Sequence, residues 1–304
     1  MKVLVTGVFG QLGYDVVRCL LSLNHEVICC GRSDRNIEAF VGKTVYRQLD
    51  ITEPSHIEEV IIEEKPDAII HCAAWTAVDA AELPGNKKDV LSTNVAATMT
   101  IAKMAKQVGA KLVYISTDYV FDGTGHSAWD PDTSMPSPVN YYGLSKFEGE
   151  RSVIENTEAY FIVRISWVFG INGSNFVKTM LRLASTKDYL TIVDDQIGRP
   201  TYTYDLAELL SSMISSEEYG IYHACNEGKN ISWYEFAKEI FRISGLNIKV
   251  DPIHSDEYKG ATAKRPYNSR LSTEKIKEKF FALPEWKDAL RRFINEYMGK
   301  EATR

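Results

Sequence analysis

Along the first half of the chain, apolar residues come in short unbroken runs separated by helically spaced stretches. Val3 to Thr6 reads as one continuous strand, and Gln11 to Leu23 carries helical spacing. A second strand follows from Glu26 to Cys30 and a weaker third from Thr44 to Gln48. A short helix from Ile57 to Glu64 stops before Pro66. Ala68 to His71 is a further strand, Val90 to Val108 a long helix, and Lys111 to Ser116 another strand. Strands apolar on both faces and separated by helices belong to parallel sheets covered on both sides. The pattern therefore predicts an α/β fold with a doubly wound parallel sheet.

Beyond Ser116 the rhythm breaks. Residues 117–140 are rich in Asp, Gly and Ser and contain Pro131, Pro136 and Pro138, which is turn chemistry. A helix from Tyr142 to Asn156 and a strand from Tyr160 to Ser166 resume the alternation. After Phe169 the elements shorten and mix. Ser232-Trp233-Tyr234-Glu235 is a capping box opening a helix that runs to Ser244. The expected organisation is a nucleotide-binding domain over residues 1–168 and a smaller mixed α/β part over 169–304, with the chain crossing between them more than once.

A length of 304 residues suits about two domains. The 35 basic and 41 acidic side chains leave a net charge of −6, so no basic stripe exists to neutralise nucleic-acid phosphates. A hydrophobic content of 44% supports a full core, yet no apolar run approaches the roughly 18 residues of a membrane span. Val3-Leu4-Val5 follows Lys2 at once, which leaves no room for a signal peptide and implies a cytoplasmic protein. The five cysteines, Cys19, Cys29, Cys30, Cys72 and Cys225, lie in apolar segments without a C-x-x-C pair and read as buried thiols. The six histidines are dispersed, and no metal site is expected.

Gly7-Val8-Phe9-Gly10-Gln11-Leu12-Gly13 sits where the first strand hands over to a helix. Glycines there are often mere turns. At the head of an alternating β/α chain they indicate a Rossmann-type dinucleotide site, where backbone approaches pyrophosphate closely and helix N–H groups attract it. The spacing is G-x-x-G-x-x-G rather than the G-x-G-x-x-G of ordinary dehydrogenases. After the second strand, Arg32 suits an adenosine 2′-phosphate and favours NADPH, while nearby Asp34 keeps NADH possible.

Tyr142 and Lys146 lie four apart on one helical face, and a lysine cation beside a phenol lowers its pKa. Tyr234 and Lys238 repeat the spacing but follow no sheet end. Thr117, by contrast, falls at the carboxyl end of a parallel strand, where ligands bind. A hydroxyl, a phenol and a lysine converging there would polarise and protonate a carbonyl beside a nicotinamide.

Gly7, Gly10, Gly13, Asn94, Thr117, Tyr142 and Lys146, in that order, resemble the extended short-chain dehydrogenases/reductases. Longer motifs sharpen the likeness. Residues 71–79 (HCAAWTAVD), 116–123 (STDYVFDG), 142–146 (YGLSK), 164–170 (RISWVFG), 175–180 (NFVKTM), 194–201 (DDQIGRPT) and 265–269 (RPYNS) resemble the dTDP-4-dehydrorhamnose reductases, over nearly the whole chain. That resemblance implies reduction of the C4 ketone of dTDP-4-dehydro-β-L-rhamnose to dTDP-L-rhamnose by NADPH. Thr117, Tyr142 and Lys146 are then the catalytic group, with Tyr142 as proton donor. Gly7, Gly10, Gln11, Leu12, Arg32, Asp50, Ile51, Ala73, Ala74, Thr76 and Asn94 would hold the cofactor together with Tyr142 and Lys146. Val78, Thr117, Asp118, Tyr119 and Trp167 would face the sugar, and Asn175, Lys178, Arg199 and Arg265 the thymidine diphosphate.

Three alternatives stand beside this reading. A nucleotide-sugar 4,6-dehydratase shares the fold, but by family analogy needs a second carboxylate where this chain has Tyr119. Epimerases share the fold as well. A non-catalytic regulatory subunit, like that of methionine adenosyltransferase, resembles the same family. The partner expected is a dTDP-keto-sugar, with no nucleic acid and no membrane, in a monomer or homodimer.

Overall fold

The computed structural model describes residues 1–33, 40 and 44–302. Asp34, the competing carboxylate after the second strand, lies outside the described residues. Six strands follow the alternating pattern: β1 (Lys2–Thr6), β2 (Glu26–Gly31), β3 (Thr44–Gln48), β4 (Ala68–His71), β5 (Lys111–Thr117) and β6 (Tyr160–Ile165). They form one parallel sheet in the order β3-β2-β1-β4-β5-β6, with Gly220–Ala224 added beyond β6. The order reverses between β1 and β4, and the crevice at such a switch point is where open α/β sheets bind ligands.

Each face of the sheet is covered by helices. Helix α1 (Gln11–Ser22) and the Thr203–Ile214 helix bury Val16, Leu20, Leu206 and Leu210 on one side. On the other, α2 (Pro54–Glu64) and the Ala97–Val108 and Tyr141–Asn156 helices bury Ile57, Ile61, Ile101 and Val153. A separate core of Trp167, Phe169, Val177, Phe236, Ile240 and Phe293 organises the C-terminal elements. Residues 203–224 return to the large sheet, so the two cores are threaded by one chain rather than met in sequence.

Two local outcomes differ from the apolar pattern. The long helix starts at Lys87, not Val90, and Ser92–Ala96 is a π-helical turn between α-helical Lys87–Leu91 and Ala97–Val108. Periodicity cannot reveal a π turn, because one extra residue shifts the face without breaking the apolar count. The Ile57 helix begins earlier, at Pro54, where a proline suits the first helical position. The capping box forms as expected, with Ser232 and Glu235 each satisfying the other's backbone N–H.

Behind β5 and β6 lies a buried ion pair. Arg164 on β6 donates to both oxygens of Glu150, at 2.9 and 2.7 Å, and Ser116 Oγ adds a bond to the same carboxylate. Both charged side chains are almost wholly buried. Breaking such a pair from one side strands a charge and costs about 3–5 kcal/mol. Arg164→Leu is accordingly expected to lower stability by that amount in urea unfolding at pH 7. A loss below about 1 kcal/mol would mean that Glu150 tolerates solitude.

Candidate active site

The carboxyl ends of β1, β2, β4 and β5 open into one cleft of about 1000 Å³. Its floor begins at the glycine turn. Gly7 has φ +69°, and a Cβ there would lie 2.8 Å from the Ala73 nitrogen; one on Gly13 would lie 2.3 Å from the Gly7 carbonyl oxygen. The turn is thus closed to side chains, and the N-terminus of α1 carries no side-chain cap. Free helix N–H groups beside a Cβ-free turn form an anion cradle. The residues present fit a dinucleotide.

Gly7, Gly10, Gln11 and Leu12 line the cleft on this side, with Ala73, Ala74 and Thr76 beside them after β4. Arg32, Asp50 and Ile51 line it beyond β2. Arg32 is exposed, and its backbone is held from β3, where Gln48 Nε2 donates to the Arg32 carbonyl and Tyr46 Oη to that of Gly31. Burial would raise the Asp50 carboxyl, but bonds from the Thr52 N–H and hydroxyl, with the Arg32 charge, hold it below the usual range. A cation and a carboxylate therefore stand together where a ribose phosphate would reach.

At the end of β5, Thr117, Asp118 and Tyr119 meet Tyr142 and Lys146 on the same wall. Asn140 caps the helix that carries the last two, accepting from the Gly143 N–H at 2.7 Å. Thr117 Oγ1 donates to Asp118 Oδ1 at 3.1 Å and accepts from the Tyr119 N–H. Asp118 is only 3% exposed, and its Oδ2 has no hydrogen-bond partner among the described residues. Burial pushes this carboxyl up to about 6, against the pull of the Ser269 and Thr117 hydroxyls.

Lys146 is 2% exposed, and its Nζ lies 4.0 Å from the centre of the Tyr114 ring. Burial drives the amine down to about 7, although Glu150 and Cys72 favour its charge. The phenol of Tyr142 moves the other way, upward, through burial and the Asp118 charge, with only Thr117 opposing. The expected lowering of Tyr142 by Lys146 is thus absent from the protein alone. A lysine held near neutrality is a weak source of positive potential at neutral pH.

Several sequence candidates sit elsewhere. Asn94 is buried in the π turn and spends its amide on both Trp75 backbone groups, at 2.8 and 3.2 Å, and on Ser145 Oγ at 2.9 Å. Asn175 caps the Phe176–Ala184 helix and donates to Gln11 Oε1 and the Gly170 carbonyl. Lys178 Nζ donates to the carbonyls of Ile171 and Gly173. Arg199 is buried, donating to the Leu271 carbonyl and facing Glu227. Arg265 forms a two-bond pair with Asp79, at 3.0 and 2.6 Å. None of these five is on the cleft wall, whereas Val78 and Trp167 are.

The wall also holds residues that the sequence reading did not place there: Phe9, Cys72, Trp75, Gly173, Ser174 and Trp233. Cys72 departs from the buried-thiol expectation, being half-buried, but its thiol is pushed up to about 12 by burial and stays protonated. Tyr234, the decoy phenol, packs on the C-terminal core under Lys238. Among the described residues no cluster of His, Cys, Asp and Glu could hold a metal, and no helix is long and apolar enough to cross a membrane.

The phosphate turn and the Thr117–Tyr142–Lys146 group on one Rossmann sheet define the class of the extended short-chain dehydrogenases/reductases. Residues 1–298 match the family model described as the RmlD substrate binding domain. The chain is 38% identical to the spore coat polysaccharide biosynthesis protein SpsK of Bacillus subtilis, over 97% of each chain. It is 35% identical to a dTDP-4-dehydrorhamnose reductase of Shigella flexneri, over 97% of this chain and 98% of that one. Among solved structures, the dTDP-4-dehydrorhamnose reductase of Bacillus anthracis in complex with NADP superposes with a TM-score of 0.85 at 38% identity, covering 97% of this chain and 99% of that one. This chain belongs to the dTDP-4-dehydrorhamnose reductase family.

Lys146 also makes the site costly. An amine lowered from 10.5 to about 7 means that the folded chain binds fewer protons than the unfolded chain between those values. The penalty is absent above pH 10.5, grows as pH falls, and is complete below about 7. Lys146→Met is expected to stabilise the protein at pH 7 by a few kcal/mol, about 1.4 for each tenfold loss of proton affinity. The gain should shrink toward zero at pH 10.5, as thermal scans at the two pH values would show. An equal gain at both would place its origin in packing instead.

Proposed function

We propose that this protein reduces the C4 ketone of dTDP-4-dehydro-β-L-rhamnose to dTDP-L-rhamnose, using NADPH, in the cytoplasm. The observation that carries the reading is the convergence of Thr117, Tyr142 and Lys146 in the cleft that begins at the phosphate turn. The names of the relatives support the same substrate. Residues 1–168 would supply the cofactor site and catalytic group, and 169–304 mainly the nucleotide-sugar site.

The nicotinamide would supply hydride to C4. Tyr142, kept protonated by burial and by Asp118, would give its phenolic proton to the oxygen that becomes the C4 hydroxyl. Thr117 would turn its hydroxyl from Asp118 Oδ1 to that oxygen and share the developing charge. Lys146 would take up a proton from solvent beside the phenolate, stabilising it as an ammonium, and would hold the cofactor ribose. Val78, Asp118, Tyr119 and Trp167 would face the sugar. Tyr119 stands where a dehydratase would place a second carboxylate, and its ring packs edge-on against Tyr142 at 5.8 Å.

Removing a general acid costs ~10²–10⁴ in rate. Tyr142→Phe is expected to lose turnover on that scale while keeping NADPH affinity, and Tyr234→Phe to keep full turnover. NADPH oxidation with the keto-sugar measures both, and near-full turnover by Tyr142→Phe would exclude it as the donor. For the cofactor, Arg32 should favour NADPH over NADH by ~1.5–3 kcal/mol through the 2′-phosphate. Arg32→Ala should narrow that gap in cofactor titrations, and equal affinities in the unaltered protein would refute this role.

A further inference from the structure

Trp167 lies two residues beyond β6, whose last residue, Ile165, is in register with Thr117. It therefore stands beside the catalytic group. Its backbone is left-handed, with φ +49°, a conformation that costs energy outside glycine. Neighbouring bonds fix it there: the Thr201 N–H donates to the Trp167 carbonyl at 3.1 Å, and Thr201 Oγ1 to that of Ser166 at 2.6 Å. Gly198 lies against the indole, where a Cβ would approach the ring to 2.9 Å.

The Trp233 ring stacks on that of Trp167 at 3.7 Å and 13°. Trp233 opens the helix Trp233–Ser244, whose start is fixed by the capping box, and Phe176 packs on it at 4.6 Å. Both indoles also line the cleft. The Ser232 cap thus sets Trp233, and Trp233 sets the plane of Trp167.

We propose that Trp233 is a positioning residue for the sugar: stacked on Trp167, it completes a two-ring apolar wall that selects a 6-deoxy-hexose over its 6-hydroxy counterpart. This rests on the reading of the cleft as a nucleotide-keto-sugar site. A methyl group laid on indole loses nothing on leaving water. A hydroxymethyl group would shed its hydration against rings that offer no acceptor. Apolar walls reject an added hydroxyl by no more than ~10², which bounds the selectivity.

The test is calorimetric titration of the NADP-saturated protein with dTDP-L-rhamnose, dTDP-L-mannose (its 6-hydroxy counterpart) and dTDP. Trp233→Ala is expected to weaken dTDP-L-rhamnose about tenfold and to shrink the rhamnose-to-mannose ratio, leaving dTDP and NADP affinities unchanged. In turnover, KM for the keto-sugar should rise with little loss of kcat, and Trp233→Phe should restore most of the affinity. An equal loss for dTDP would put the ring pair at the nucleotide end and overturn the proposal. So would an unchanged rhamnose-to-mannose ratio in a variant of a discriminating parent, or failure of Trp233→Phe to rescue. A parent protein that does not discriminate between the two sugars overturns the functional reading as well.

Discussion

Lys146 must stand out of water beside a phenol, and the surrounding structure is arranged to tolerate it. The amine lies over the Tyr114 ring, one helical turn from Glu150, which is itself neutralised by Arg164 from the adjacent strand. Gly149 allows the helix to approach so closely that a Cβ there would overlap the Tyr114 hydroxyl and the Asn94 carbonyl. Asn94 reaches this contact from the π turn, and its amide ties the Trp75 backbone to Ser145, whose hydroxyl donates to the Tyr142 carbonyl at 2.7 Å. The loop at Trp75 and the helix that carries Tyr142 and Lys146 are therefore one hydrogen-bonded unit.

The same economy joins the two cores. Asn172 Nδ2 donates to the Phe9 carbonyl at 2.8 Å, and Asn175 Nδ2 to Gln11 Oε1 at 3.0 Å, so residues 170–175 close over the phosphate turn. Within the first core, Asp15 on α1 accepts from Thr203 at the start of the Thr203–Ile214 helix and from Arg18, with no exposure to solvent. Burial raises the Asp15 carboxyl despite those donors. The cleft depends on the Asn172 and Asn175 bonds, because its walls come from both cores.

The alternation of apolar strands and helices made the sheet legible, since strands buried on both faces leave continuous apolar runs. The glycine turn was legible for a stricter reason: Gly7 and Gly13 are the positions where no Cβ fits. Cations in the C-terminal half were not. Lys178, Arg199 and Arg265 carry the charge that a diphosphate wants, but backbone carbonyls and carboxylates of their own chain engage each of them. A sequence names donors without showing which acceptors the fold has already supplied. Trp233 was missed for the reverse reason. At helical spacing with Phe236 and Phe241 an indole reads as core, and only the stack on Trp167 brings it to the cleft.

The electrostatics of the Thr117–Tyr142–Lys146 group have a direction. Burial and the half-satisfied Asp118 both disfavour a negative charge on Tyr142, so the phenol keeps its proton over the whole neutral range. An acid so held is suited to giving a proton to a developing alkoxide and poorly suited to accepting one as a resting phenolate. Lys146 complements it, because an amine near neutrality gains its proton most readily when a negative charge appears beside it. On the proposed mechanism, positive potential would therefore be recruited as the reaction proceeds instead of being stored beforehand. Under the proposed role of Tyr142 as proton donor, a phenol that rests protonated suits the reduction. Asp118 contributes twice to this state, raising the phenol by its charge and accepting from the Thr117 hydroxyl at 3.1 Å.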